Sequence, residues 1–383
     1  MRRPSPLAIG LIAALLALGW QYLTVRYNYQ GNWSALFYTG EVTPLPPSLA
    51  EEGTYRFAAS PGYDGMYYHL IAHDPLLRKG LSSYVDNPRL RWRRILVPGL
   101  ANLLAGGRDV RVDLAYLFVT IASIFFGAFW LSRFCTLHAY HPIWGLFFLA
   151  VPAVLVSIDR QTVDTALAAL GIGFIRYYGR SPWKGLVLLS LLPLARETGL
   201  CLTAGTMMAE VRRRHWDRLA LAAASAVPYA AWVAFVHAHT AHDGTPWLSL
   251  PFRGIVARTL HPVQYELTGR WVTTAAILDY LALLGVWLAL AFVIHLFFRR
   301  PLGLLEWCLA AFSLAVIWLG KADIWGGAYE FGRTMSPLLF LLMMLSVSTR
   351  QRRYLLPMAM VLPRIALQYQ PQVFGIVAGL LAR

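Results

Sequence analysis

Apolar runs recur along this chain at lengths that a water-soluble domain seldom needs. They cover residues 7–20, 113–130, 143–158, 163–178, 219–236, 272–298, 304–319, 334–347 and 355 onward. A hydrocarbon core roughly 30 Å thick is crossed by about 20 apolar residues of helix. Backbone N–H and C=O groups in lipid have only one another as partners, so these runs predict helices. Two briefer runs, 186–194 and 199–209, are each too short for a full crossing. They predict either a hairpin of short helices or the two halves of one bent helix.

Between the first and second runs lies a long polar stretch, residues 22–112, rich in aromatic residues, Gly and Pro. Its one apolar segment, 95–105, predicts a surface or re-entrant helix. Basic residues cluster at 133–141, 176–184, 212–218, 299–300 and 350–353. Cytoplasmic loops carry an excess of Lys and Arg, and a hairpin over 186–209 lets all five clusters share that side. The other side then receives 22–112, 159–164, 196–197, 237–271 and 321–333. The expectation is an all-α polytopic transmembrane bundle of about 10–12 membrane helices, with 1–383 as one domain. Residues 22–112 form a first extracytoplasmic loop carrying short juxtamembrane helices, and 237–271 form a second large one. Met1-Arg2-Arg3 before an apolar run resembles a secretory leader, but no small-x-small cleavage site follows, so an uncleaved first span is expected.

Composition supports the pattern. Hydrophobic residues make up 57% and charged residues 14%, and mean hydropathy is +0.51. The net charge of +15 comes from basic residues that punctuate apolar runs. They form no soluble basic domain, so nucleic acid is not an expected partner. Cys135, Cys201 and Cys308 have no metal or disulfide spacing.

The oddities gather on one predicted face. Asp64 stands between Tyr63 and Gly65, with Tyr67 and Tyr68 three and four positions on, a helical neighbour spacing. It reads equally as a helix N-cap or as a reactive carboxylate under an aromatic surface. Six Arg against two Asp occupy 86–111, Arg93 and Arg94 among them. Lipid headgroups would neutralise them, and so would the phosphate of a lipid-linked substrate, which Arg grips in bidentate fashion. Asp159, Arg160 and Asp164 stand at a predicted outer turn, with Asp164 placed to cap a helix. Arg196-Glu197 interrupts an apolar stretch, either lining a cavity or forming an ion pair. Asp323, Glu330 and Arg333 precede the run that begins Thr334-Met335-Ser336-Pro337.

Other templates fail. His237, His239, His242 and Asp243 look superficially metal-like, yet no Cys or Glu completes a zinc pattern, and they read as a solvated loop. His69 and His73 stand four apart without the adjacent Glu of a zinc protease. Nothing in the sequence calls for a metal or cofactor. Nucleophile-elbow, phosphate-loop and dinucleotide fingerprints are absent.

The string Tyr63-Asp64-Gly65-x-x-Tyr68-x-x-Ile71-Ala72 resembles the Trp/Tyr-Asp-Gly-x-x-Tyr/Phe-x-x-Ile-Ala motif of the PIG-V type mannosyltransferases and their bacterial relatives, within the GT-C superfamily of membrane glycosyltransferases. Arg93-Arg94-Ile95-Leu96-Val97-Pro98, Arg196-Glu197-Thr198 and Arg333-x-x-x-Pro337 also resemble segments of those bacterial proteins. Many GT-C members carry two adjacent acids where this chain carries Asp64 alone. The resemblance implies a hexosyl- or pentosyltransferase with a polyprenyl-phosphate sugar donor and a lipid or glycan acceptor, working on the periplasmic face of a bacterial inner membrane. It implies that Asp64 is the base, that Arg93, Arg94, Arg196 and Arg333 hold the lipid phosphate, and that Asp159, Asp164 and Glu197 orient sugar hydroxyls or those arginines. Two other classes remain open. A transporter or flippase also places ionisable residues on a pathway, with Asp279 and Glu306 the acids to watch. A glycan polymerase or ligase also needs outer arginines.

Overall fold

The computed structural model describes residues 4–241, 249–263, 265, 270–299 and 302–382. His242, Asp243 and Arg300 of the sequence reading lie outside these. Among the described residues the fold is all-α, with nineteen α-helices. One short parallel pairing, Thr39–Gly40 with Arg56–Phe57, is the exception.

Four helices are long and apolar enough to cross a membrane: Pro6–Asn28, Asp109–Leu137, Trp216–His239 and Trp271–Phe298. Two bent pairs raise the number to six. Pro142–Ala150 meets Pro152–Arg160 at 62°, and Ala328–Thr334 meets Ser336–Thr349 at 58°. Both breaks have a proline at the start of the second helix, Pro152 and Pro337. Proline lacks the N–H that would continue the ladder yet suits the first turn of a new helix. Leu96–Ala105, Pro182–Ala195, Leu304–Trp318 and Gln370–Leu381 are shorter apolar helices.

The outer surfaces are those of a protein solvated by lipid. Pro6–Asn28 turns Leu7, Leu11, Leu15 and Leu16 outward and buries Ile9, Ala13 and Ala17, packing on Val112–Leu137. Trp216–His239 has only 22% of its apolar stretch buried within the protein. Several long apolar helices with exposed apolar faces make this an integral membrane protein. At the centre, Ser336–Thr349 is buried without a break from Ser336 to Ser346. A helix apolar on every side has no solvent face and belongs inside.

Residues 186–209 form two separate helices, Pro182–Ala195 and Leu200–Arg213, joined by a short turn at Glu197–Gly199. They pack mainly against different neighbours, Asp164–Tyr177 and Leu304–Trp318. The predicted loop helix is present as Leu96–Ala105. The rest of the first loop is folded rather than loose. Asn87 caps Pro88–Arg91 through Leu90 N–H at 2.8 Å. Asp74 accepts the backbone N–H groups of Arg78 and Lys79 at 2.6 and 2.9 Å. Trp92, fully buried, donates its indole N–H to the Asp74 carbonyl at 3.0 Å.

Candidate functional site

Asp64 is the first residue of the helix Asp64–His73, with Tyr63 at the cap position. Its carboxylate takes charged partners instead of serving as an N-cap. Arg91 Nη1 lies 2.7 Å from Oδ1, and Arg333 Nη2 donates to Oδ2 at 2.6 Å. The two arginines stack on the neighbouring tyrosines, Arg91 over Tyr67 at 4.6 Å and Arg333 over Tyr63 at 5.0 Å from the ring centroid. Gly65 explains the next letter of the motif. A Cβ there would stand 2.0 Å from the Arg160 carbonyl oxygen, so only glycine lets the helix start this close to its neighbour.

Around this pair the chain assembles three further charged contacts. Arg94 grips Glu197 with two bonds of 2.8 and 2.6 Å, and its third donor reaches the Tyr68 hydroxyl at 2.6 Å. Arg196 donates to Asp164. Arg333 Nε lies 3.8 Å from the other Asp164 oxygen. Four guanidiniums, Arg91, Arg94, Arg196 and Arg333, thus face the three carboxylates Asp64, Asp164 and Glu197, and Asp86 on the rim, 42% exposed, pairs with Arg91 at 2.9 Å.

Burial alone would raise the Asp64 carboxyl, but Arg333, Arg91 and Arg94 outweigh it and hold Asp64 well below the usual carboxylate range. Glu197 behaves likewise: burial opposes ionisation, Arg94 overcomes it, and the carboxyl falls to about 2. Among the described residues, several buried donors in this region have no hydrogen-bond acceptor, namely Arg333 Nε and Nη1, Arg196 Nε and Arg160 Nη1. Such donors are expensive to leave unmet. They are donors of the type that pair with anionic groups.

Asp159 and Arg160 form an adjoining cluster. Arg160 donates to Asp159 at 2.8 Å and stacks on Tyr38 at 3.2 Å from the ring centroid. Asp159 also accepts from Tyr329 and Gln372. Tyr63 packs edge-on against Tyr329 at 5.7 Å, joining the two clusters.

Tyr63, Tyr67, Tyr68, Arg94, Asp164, Arg196, Glu197 and Arg333 therefore meet around Asp64, and Asp159 and Arg160 stand next to it. One expected residue is directed elsewhere: Arg93 points to the end of the Val227–His239 helix, donating to His237 at 2.6 Å. Glu330 accepts from the Gly327 N–H at 2.9 Å, capping its own helix, and its charge still reaches Tyr63. Arg196 and Glu197 are not an ion pair with each other, since each pairs with a different element. Asp164 pairs with arginines as well as heading its helix. Arg91 joins them without being singled out by the sequence, although it lies one turn from Arg94, a spacing that puts both on one face.

The acids singled out for a transport pathway are fully engaged. Asp279, buried, accepts from Arg258 at 3.1 Å, the Ala328 N–H at 3.0 Å and Tyr265, with Arg364 at 3.2 Å. Glu306 accepts from the Gly303 N–H at 3.0 Å as a cap. His239 is exposed and bonded to the Phe235 carbonyl. No family model matches the chain, and neither a curated protein nor a solved structure does.

Proposed function

We propose that this protein is a membrane glycosyltransferase of the GT-C kind, transferring a sugar from a polyprenyl-phosphate donor to a lipid, glycan or protein acceptor. The observation that carries the reading is the Asp64 carboxylate held between Arg91 and Arg333, with buried Arg333 and Arg196 donors beside it that have no acceptor among the described residues. A carboxylate base and a phosphate receptor side by side are what this chemistry needs. The resemblance of the 63–72 string to the PIG-V type motif supports the same reading.

In the reaction, the acceptor oxygen would form a bond to the anomeric carbon while the bond from that carbon to the phosphate oxygen breaks. The electron pair leaves on the phosphate, which Arg333 and Arg196 stabilise. The hydroxyl proton goes to Asp64. Direct attack by the acceptor oxygen, with Asp64 as base and Asp164 and Glu197 held by arginines, inverts the anomeric carbon. With both guanidiniums on it, Asp64 is a weak base. A donor phosphate competes for Arg91 and Arg333, and each guanidinium it takes raises Asp64 toward proton affinity. Donor binding would therefore switch on the base.

The site faces the extracytoplasmic side in this reading, with the N-terminus inside and the shorter apolar helices adding to the long ones for a total of about 10–12 membrane-embedded segments. Incubating the purified protein with a panel of polyprenyl-phosphate sugars and following transfer by mass spectrometry tests it. Absence of transfer with saturable solute uptake in proteoliposomes would move the assignment to a transporter.

A further inference from the structure

At the far end of the Asp64–His73 helix, two imidazoles converge in a way the transferase reading does not use. His69 Nε2 and His73 Nε2 stand 3.2 Å apart. Asp113, from the first turn of the Val112–Leu137 helix, places Oδ1 2.6 Å from His69 Nε2. We propose that His69, His73 and Asp113 form a binding site for one divalent transition-metal ion, with zinc the best fit, that ties these two helices together.

The donor set and its surroundings carry this. The three donor atoms lie within 4.8 Å of one another. Zinc–nitrogen bonds of about 2.0–2.1 Å in a tetrahedral site put donor atoms roughly 3.3 Å apart, which the two nitrogens already satisfy. Asp113 would retreat from His69 by roughly 0.7 Å as the metal replaces the proton the two share. Its side chain is 35% exposed, so it has room to move and the ion has a way in.

The outer contacts prepare His73 as a ligand. Its Nδ1 pairs with Asp109 Oδ1 at 3.0 Å, and Asp109 is anchored by Lys79 at 2.7 Å. A carboxylate at Nδ1 keeps the proton there and leaves the Nε2 lone pair bare, aimed at His69. Phe37 stacks on His69 with 4.0 Å between centroids and a 7° tilt, fixing the ring. Glu52 Oε2, 4.0 Å from His73 Nε2, is placed to supply a fourth oxygen, or water does. Two imidazoles with carboxylates favour zinc and its first-row neighbours over calcium or magnesium, which take oxygen.

Asp64 and His73 end the same ten-residue helix, about 14 Å apart at 1.5 Å per residue. The ion is thus a staple for the helix that presents Asp64, not a participant at the carboxylate. The inference stands independently of the transferase reading.

The test uses full-length, untagged protein, stripped with chelator and reloaded with zinc or cobalt, then freed of loosely held ion. Metal content by mass spectrometry should approach one equivalent, and cobalt should give visible d–d bands of a low-coordinate site. Zinc should raise the thermal midpoint of the wild type. His69→Gln, His73→Gln and Asp113→Asn should each weaken retention by about 10-fold or more, while exposed His239→Gln should not. Absence of bound metal and of a thermal shift in the folded wild type would overturn the proposal. So would equal retention by the three ligand variants.

Discussion

Arg333 and Asp64 are separated by 269 positions in the chain, yet Arg333 Nη2 donates to Asp64 Oδ2 at 2.6 Å. The contact joins the folded first loop to the bend between Ala328–Thr334 and Ser336–Thr349. It makes the candidate site a product of the whole fold rather than of one motif.

Arg93 and Arg94 are neighbours with opposite fates, so exchanging them separates the site from general charge. Arg94→Ala leaves Glu197 without its two charged bonds, and breaking a buried pair on one side costs about 3–5 kcal/mol. Arg93→Ala removes the contact to exposed His237 and breaks no ion pair among the described residues. Thermal unfolding in detergent should show a large drop for the first and a small one for the second. Equal drops would contradict the assignment.

Gly65→Ala tests why the motif has glycine. The new methyl would press on the Arg160 carbonyl at 2.0 Å and the Phe37 carbonyl at 2.8 Å. Overpacking of this kind costs about 1–3 kcal/mol, and here it would also shift Asp64. Lower thermal stability together with lost transfer is expected. An unchanged protein would show that the close approach is not maintained.

The lowered carboxyls set the direction of the pH dependence. Glu197 ionises at about 2 when folded against its ordinary 4.5. Its contribution is fully present above 4.5 and is lost as pH falls toward 2. Asp64, also lowered from 3.8, adds to the loss in acid. Glu197→Gln should therefore be less stable than the wild type at pH 7, and the gap should narrow below pH about 4.5. Unfolding curves at several pH values measure it. A gap independent of pH would contradict the pairing.

Asp279 separates structure from transport. Its contacts to Arg258, Arg364, Tyr265 and the Ala328 N–H make it a tie between helices. Asp279→Asn should lower thermal stability by about 3–5 kcal/mol, the cost of exposing buried guanidiniums to a neutral partner. Saturable uptake by the wild type that this variant abolishes would instead favour a transport pathway.

What the sequence made legible follows from the range of the forces involved. Apolar runs announce membrane helices because each run answers to lipid locally, and the all-α class followed. The helix break at Pro152 changes direction without changing hydropathy, so 143–158 reads as a single run although it straddles a bend, whereas 334–347 starts at its own bend. Asp64 was visible through its local string and Arg333 through its own, but their direct pairing and the part of Arg91 were not, since tertiary placement selects them. Arg93 stands beside Arg94 in the chain, but its side chain leaves toward His237. The His69–His73 spacing was visible as i, i+4, but Asp113 lies 44 residues beyond His69 and no local pattern links them.

Sugar transfer by wild type and Asp64→Asn, each incubated with polyprenyl-phosphate sugars and envelope acceptors and monitored by mass spectrometry, tests the central claim most directly. Losing one base should lower transfer about 10²–10⁴-fold, with Asp64→Glu run alongside and thermal unfolding confirming that each variant is folded. Transfer by the wild type that collapses in a folded Asp64→Asn protein is the predicted result. Equal transfer by the two would contradict it and remove Asp64 from the chemistry.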